Sequence, residues 1–283
     1  MMYRYREVLE EGRRRLREAG IAEAEYDARE LLFFALDTDM QSFYLRQNEP
    51  IDEDCRRKYF FYLQKRAEHI PLQHIMGKQN FCGLDIFVNE DVLIPRFDTE
   101  LLVEKILKEH PDGEGKALLD LCTGSGAIAI SLKKLGGFSR VYASDISGKA
   151  LQLAKKSASY QGSEIIWIES DLFAAKEMPK DLDIIVSNPP YIRSEKIEDL
   201  MPEVRLHEPR LALDGGREGL DFYWNIAERA PFFLKKDALL YLEIGHDQGK
   251  EMEEILRRLS YREIEITKDL AGKDRICRAK APA

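Results

Sequence analysis

Asn188-Pro189-Pro190-Tyr191 follows directly on the apolar run Asp183-Ile184-Ile185-Val186-Ser187. Two consecutive prolines remove two backbone donors and fix two φ angles, so the chain can neither continue a ladder there nor begin an ordinary helical turn. An Asn side chain offers one acceptor and two donors, and the Pro189 carbonyl stands on a stiffened backbone. Together they make a planar fork for an NH2 group on an sp2 carbon, with the Tyr191 ring available as a face over it. The nitrogen of such a group shares its lone pair with a carbonyl or ring and attacks an electrophilic methyl poorly unless held in line. Two acceptors on its hydrogens orient the lone pair and stabilise positive charge developing on nitrogen, which is positioning and electrostatics rather than acid–base catalysis. No strong general base is required.

Upstream, Asp120-Leu121-Cys122-Thr123-Gly124-Ser125-Gly126-Ala127 joins a strand pattern to a helical one. Glycine at such a turn lets the backbone approach a ligand that would otherwise meet a Cβ. The spacing fits the G-x-G-x-x-G/A form, with Ala129 in the third slot. Asp145 ends the next strand pattern, where a carboxylate can accept both hydroxyls of a ribose held over the loop. The competing role for Asp145 is a cap on the following helix. Loop and acid together predict an adenosine-containing cofactor, and NAD and S-adenosylmethionine satisfy that geometry equally. Asp171-Leu172-Phe173 closes a third strand beside the expected adenine, so Asp171 is placed to bond its exocyclic amine. Phe173 either lies against the ring or packs in the core.

The elements that must position these residues are an alternation of strands and helices. ALLDL, RVYASD, EIIWIES, DIIVS and ALLYLEIG read as strands, and AIAISLKKL, ALQLAKKSASY and EMEEILRRL as helices. This rhythm implies an α/β domain with a mostly parallel sheet and crossover helices on both faces. YREIEIT and DRICRAK are close enough to pair as a hairpin, which predicts an antiparallel edge. Before them, Tyr3 to about Ala67 has apolar residues three and four apart, the mark of a small helical domain. FCGLDIFVNEDVLIP alternates as a β-hairpin or extended connector does. The expected boundaries are 1–75 for the helical domain, 76–95 for the connector and 96–283 for the α/β domain.

With 44% hydrophobic and 33% charged residues over 283 positions, the chain has globular composition. No run approaches the roughly 18 apolar residues of a spanning helix. The first twenty residues interleave charge with apolar residues and do not read as a signal peptide, so a soluble cytoplasmic protein is expected. Cys55, Cys82, Cys122 and Cys277 form no CxxC pair, and the five histidines show no ligand spacing, so neither a disulfide framework nor a metal site is expected. A net charge of −8 disfavours a non-specific grip on a phosphate backbone, so no stable nucleic-acid binding is expected.

The chain resembles the protein-(glutamine-N5) methyltransferases that modify peptide chain release factors. The resemblance is carried by residues 71–100 (PLQHIMGKQNFCGLDIFVNEDVLIPRFDTE), DLCTGSGAIAI, ASDIS, SNPPYI, EPRLALDGGREGLDFY, LEIGHDQG and DLAGKDRI. It implies a class I, Rossmann-like methyltransferase with a seven-stranded sheet and a small all-α amino-terminal domain that helps to dock the substrate. It further implies S-adenosylmethionine as methyl donor, S-adenosylhomocysteine as product, and the glutamine of the Gly-Gly-Gln motif of class 1 release factors as acceptor. By matching position, Cys122, Thr123, Gly124, Ser125, Gly126, Asp145, Phe173 and Asn188 would contact the donor. Asn188, Pro189, Pro190 and Tyr191 would hold the glutamine, and Arg96 would line the site. Two positions depart from the family pattern. Cys122 stands where Gly is usual, and Phe97-Asp98-Thr99-Glu100 where Pro-Glu-Thr-Glu is usual. A Cys is expected to hold φ below zero there, with altered donor affinity as the consequence.

Two other readings use the same residues. An adenine-N6 methyltransferase on DNA or RNA presents the same kind of NH2 to the fork, but it must extrude its base and grip phosphates, for which this acidic chain has no spare segment. A cofactor-binding scaffold without catalysis would not need an intact Asn-Pro-Pro-Tyr. Nothing in the sequence suggests an obligate assembly, and a monomer is expected.

Overall fold

Apolar residues three and four apart put Val8, Leu9 and Leu16 on the buried side of α1 (Tyr5–Glu18), and Leu31, Leu32 and Ala35 on that of α2 (Ala24–Leu36). The structure, a computed structural model, describes residues 3–282. Asp39 and Asp52 accept hydrogen bonds from the first free N–H groups of α3 (Met40–Arg46) and α4 (Glu53–Ala67), and α5 (Leu72–Met76) follows. Leu16, Leu31, Leu32, Leu63 and Tyr59 close this core at essentially zero exposure, each aliphatic side chain contributing roughly 1.5–3 kcal/mol. Gly12 is required by close packing, since a Cβ there would lie 1.8 Å from the Tyr59 hydroxyl oxygen.

The helical unit comprises Met1–Gly77 together with Met201–His207. The sequence reading had residues 96–283 as one continuous domain, and the difference has an electrostatic cause. Arg66, with a buried side chain, bonds Asp27 at 2.6 Å and reaches Glu203 at 2.8 Å, which ties residues 201–207 to α4. Breaking a buried pair on one side leaves an uncompensated charge. Arg66→Ala is therefore expected to destabilise this unit by roughly 3–5 kcal/mol, read as a lowered urea midpoint by circular dichroism. An unchanged midpoint would show that the pair is not structural.

The second unit, Lys78–Leu200 with Glu208–Ala283, opens with the antiparallel hairpin β1 (Lys78–Phe81) and β2 (Leu84–Phe87), which therefore belongs to this unit and not to a separate connector. Then come α6 (Phe97–Glu109), β3 (Ala117–Leu121), α7 (Ala127–Gly136), β4 (Arg140–Asp145), α8 (Gly148–Gln161), β5 (Ile166–Glu169) and β6 (Leu182–Ser187). The helix of the 201–207 segment is α9 (Pro202–His207), followed by α10 (Asp221–Arg229), β7 (Leu234–Glu243), α11 (Gly249–Arg258), β8 (Arg262–Lys268) and β9 (Asp274–Lys280).

Seven strands form one sheet in the order β5-β4-β3-β6-β7-β9-β8. The first five are parallel, and β9 inserts antiparallel between β7 and β8, giving the expected antiparallel edge. Every residue of the interior strand β3 is buried. Leu119 and Leu121 pack on one face with Ile185 and Leu240, and Leu118 on the other with Ile184 and Val186, which is why ALLDL is nearly continuous in apolar residues. Strand order runs outward from β3 in one direction through β4 and β5 and in the other through β6 and β7. The reversal between β3 and β6 leaves a crevice at the carboxyl ends of these strands. The α9 and α10 helices had no counterpart among the expected elements. Both are short, and they lie in a stretch punctuated by Pro202, Pro209, Gly215, Gly216 and Gly219 that hides their periodicity.

Candidate active site

The crevice holds a cavity of about 250 Å³ built from the carboxyl ends of four neighbouring strands. Cys122, Thr123, Gly124 and Ser125 supply one wall after β3, Asp145 the next after β4, and Asp171 with Leu172 follow β5. Asn188 and Pro190 enter from the end of β6. Parallel polarity brings together residues up to 66 positions apart, counted from Cys122 to Asn188 (188 − 122).

The glycine loop is held from below by Asp120. Its Oδ2 accepts from Thr123 Oγ1 at 2.5 Å and from the Ala129 N–H at 3.2 Å, so one fully buried carboxyl ties the loop to the first turn of α7. Burial pushes Asp120 up to about 7, against the pull of those two donors, and its Oδ1 has no protein partner. Gly124 has φ 54 and no atom within 4 Å of where a Cβ would stand, so its backbone faces open space as close approach to a ligand demands. Gly126 does not line the cavity. Its φ of 80 places it as the N-cap of α7, where a Cβ would press on Ala154 and Trp167 at 3.0 and 3.1 Å.

Cys122 departs from the sequence expectation: its φ is 57, in the left-handed region, not below zero. The strain, of order 1–3 kcal/mol, is sustained because flanking contacts over-determine the turn. The Thr123 N–H donates to the Ser144 carbonyl at 3.0 Å, and Ser187 Oγ donates to the Leu121 carbonyl at 2.7 Å. A residue with a Cβ thus holds the left-handed backbone shape that favours glycine. Burial, with the negative charge of Asp145, pushes the Cys122 thiol far above its ordinary value.

Asp145 is half-buried, and burial raises its carboxyl above the usual range. One oxygen accepts from the Gly124 N–H at 2.8 Å and the other from the Ser147 N–H at 2.9 Å. The cap of α8 is Ser147, whose side chain accepts from the Ala150 N–H at 3.2 Å, so Asp145 is not the helix cap. Its carboxylate is oriented by two fixed donors and faces the cavity, an arrangement that leaves lone pairs for hydroxyl ligands.

Besides Gly126, four residues assigned to the site, Phe173, Arg96, Pro189 and Tyr191, do not line the cavity. Phe173 is 2% exposed and stacks on Phe233 with ring centroids 4.6 Å apart, because the chain turns at Leu172 (φ 47) and directs the ring into the core; Leu172 takes the wall position. Arg96 does not line the cavity either. It forms a two-point bond with buried Glu208, 2.7 Å to each oxygen, while its neighbour Pro95 forms the wall. Tyr191 does not line the cavity and donates its hydroxyl to Glu243 Oε1 at 3.1 Å, and Pro189, between the lining residues Asn188 and Pro190, is not itself part of the wall.

The sequence reading passed over the residues that hold the Asn-Pro-Pro-Tyr turn. Thr99 Oγ1 donates to Glu243 Oε2 at 2.6 Å and itself accepts from Asn188 Nδ2 at 3.2 Å. Gln248, 2% exposed, donates to the carbonyls of Tyr191 and Gly219 at 3.0 and 3.1 Å and accepts from the Gly245 N–H at 2.9 Å. Their signal was an acid ending the apolar run Leu239–Leu242 and an amide just after it, polar groups that burial forces into partnership.

The cavity fits an adenosyl ligand on its own geometry. Gly124 opens one wall, Asp145 and Asp171 present carboxylates from adjacent strand ends, and Ile146 and Leu172 supply apolar surface between them. Residues 7–77 match the family model of the PrmC N-terminal domain, and residues 96–252 match that of the Methyltransferase small domain. A release factor glutamine methyltransferase of Geobacter sulfurreducens is 38% identical over 271 residues, 96% of this chain and 94% of that one. One of Bacillus subtilis is 40% identical over 271 residues, 93% of each chain. A crystal structure of a methyltransferase from Pyrococcus furiosus shares the fold at TM-score 0.55 and 17% identity, covering 71% of this chain and 91% of that one. With the fold, the cavity and these relatives in agreement over nearly its whole length, the chain belongs to the release factor glutamine methyltransferase family.

Proposed function

We propose that this enzyme methylates the side-chain amide nitrogen, N5, of the glutamine in the Gly-Gly-Gln motif of class 1 release factors, using S-adenosylmethionine, and so supports translation termination in the cytoplasm. The observation that carries this reading is that Asn188 and the Gly124–Asp145 wall border one cavity. When bound there, S-adenosylmethionine supplies a methyl group on a positively charged sulfur. Asp145 would take the ribose hydroxyls, Asp171 the adenine amine, and the loop from Cys122 to Ser125 the remainder of the donor. Asn188 Oδ1 would accept one N–H of the glutamine amide, and the carbonyl of Pro189, which joins the wall residues Asn188 and Pro190, would accept the other once substrate is seated, so that the nitrogen lone pair points along the line of transfer. The same two acceptors stabilise positive charge as it develops on nitrogen, which afterwards gives up one proton to solvent.

Substrate docking falls to the helical unit in this reading. Tyr26, Phe34, Tyr44 and Phe61 are exposed there, and aromatic residues dominate protein-recognition surfaces. No helix among the described residues is long and apolar enough to cross a membrane. The protein would act as a monomer and without stable nucleic-acid binding.

The test is a transfer assay with labelled S-adenosylmethionine, offering in parallel a class 1 release factor, its Gln→Ala variant in the Gly-Gly-Gln motif, and duplex DNA. Label on the intact release factor alone is the expected result. Label on DNA would replace the glutamine reading by the adenine one, and donor binding without transfer to either would make the chain a scaffold.

A further inference from the structure

We propose that Thr99 and Glu243 are positioning residues for methyl transfer: together they decide which end of the Asn188 amide faces the acceptor. This rests on the role given to Asn188 above. Glu243 ends β7 at 2% exposure, and both of its oxygens receive hydroxyl protons, Oε2 from Thr99 and Oε1 from Tyr191. Burial raises the Glu243 carboxyl above its ordinary range, while the two hydroxyl donors and the positive charge of Arg275, itself paired with Asp98 at 3.1 Å and Asp269 at 3.4 Å, pull toward the ionised form. A threonine hydroxyl has one proton, and here it is committed to the carboxylate. Toward Asn188, Thr99 Oγ1 therefore offers only lone pairs, and the group 3.2 Å away is Nδ2. Reversing the amide would set Oδ1 against those lone pairs. Donation thus runs one way, from Asn188 to Thr99 to Glu243, and it leaves Oδ1 for the substrate.

The direction matters because of what transfer to an amide nitrogen requires. An acceptor at the Asn188 position takes a substrate N–H and leaves the nitrogen lone pair free to attack. A donor in its place would compete with the methyl group for that lone pair. The Glu243 carboxylate, acceptor-only while ionised, removes the ambiguity that an Asn side chain otherwise carries. Thr99 stands at the fourth residue of the Arg96-Phe97-Asp98-Thr99 stretch on the first turn of α6, so packing of that helix on the sheet is what carries the hydroxyl to β6 and β7.

The experiment measures kcat and KM for a release factor, donor Kd by calorimetry, and melting temperature, on Thr99→Val, Thr99→Ser, Glu243→Gln, Asn188→Ala and the double variant Thr99→Val/Asn188→Ala. Valine keeps the shape and removes the hydroxyl; expected is a fall in kcat of about 30-fold, with KM and donor Kd within about threefold. Serine restores the hydroxyl and is expected within about threefold of the parent rate. Glutamine at 243 can donate as well as accept, and is expected to lower kcat about tenfold. If Thr99 acts through Asn188, then adding Thr99→Val to Asn188→Ala costs nothing more in single-turnover rate. Thr99→Val or Glu243→Gln turning over at the parent rate while Asn188→Ala is impaired, or losses that add in the double variant, would overturn the positioning role and leave the fork intact. Parent-like turnover by Asn188→Ala itself would instead overturn the fork on which this inference stands.

Discussion

Asn188→Ala is expected to lower kcat for release factor methylation by about 10³-fold while leaving the melting temperature within a few degrees of the parent protein. The size follows from what is removed. An amide nitrogen is a weak nucleophile, and in the proposed mechanism the means of activating it are orientation and stabilisation of the developing charge, to each of which Asn188 Oδ1 would contribute. Losing one preorganised partner of a developing charge typically costs 10²–10³-fold, and loss of alignment adds to that. Stability is spared because the Pro189-Pro190 backbone and its neighbours hold the turn without the side chain. The Tyr191 hydroxyl remains on Glu243, and its carbonyl remains on Gln248. Donor affinity should fall only a few-fold, since Asp145 and the glycine loop are untouched. A variant that turns over like the parent would refute the fork.

The second large effect concerns the donor. Asp145→Ala should raise the S-adenosylmethionine Kd by about 10²-fold, measured by calorimetry, as expected for hydrogen bonds to a charged group worth about 1.5–3 kcal/mol each. Part of that loss is indirect. The Gly124 N–H donates to Asp145 at 2.8 Å, so truncation also frees the loop that must approach the ligand. Asp145→Asn keeps the size and one carbonyl acceptor, and should fall between the two, near tenfold. The pair of variants separates the charge from the mere presence of an acceptor. Unchanged affinity in Asp145→Ala would remove the ribose role from this residue.

Much of the cavity wall after β3 and β4 was legible because its determinants are local. Gly124 and Gly126 announce a strand-to-helix turn by their spacing, and an acid ending the next strand is brought beside them by parallel pairing, whatever the remaining packing. The Asn-Pro-Pro-Tyr turn was legible as a stiff turn for a similar reason, since two prolines constrain the backbone without help from elsewhere. Phe173 was ambiguous in one dimension, where an aromatic residue after a strand reads equally as ligand face or core. Its ring went to Phe233, some 60 residues later in the chain (233 − 173). Cys122 misled because steric rules describe an isolated residue, whereas its φ of 57 is imposed by hydrogen bonds from Thr123 to β4 and from Ser187 to Leu121.

By itself, then, the sequence determined the α/β class, the carboxyl-end site and the residue types that meet there, because periodicity, glycine spacing and proline stiffness act over a few positions. Only the tertiary structure decided which side chains complete the site. Thr99 on α6, Asn188 after β6 and Glu243 at the end of β7 are 89 and 55 residues apart in order (188 − 99, 243 − 188), and no local rule joins them. They meet because a buried carboxylate must collect donors from whatever elements pack around it, and that demand is met only once the sheet has assembled.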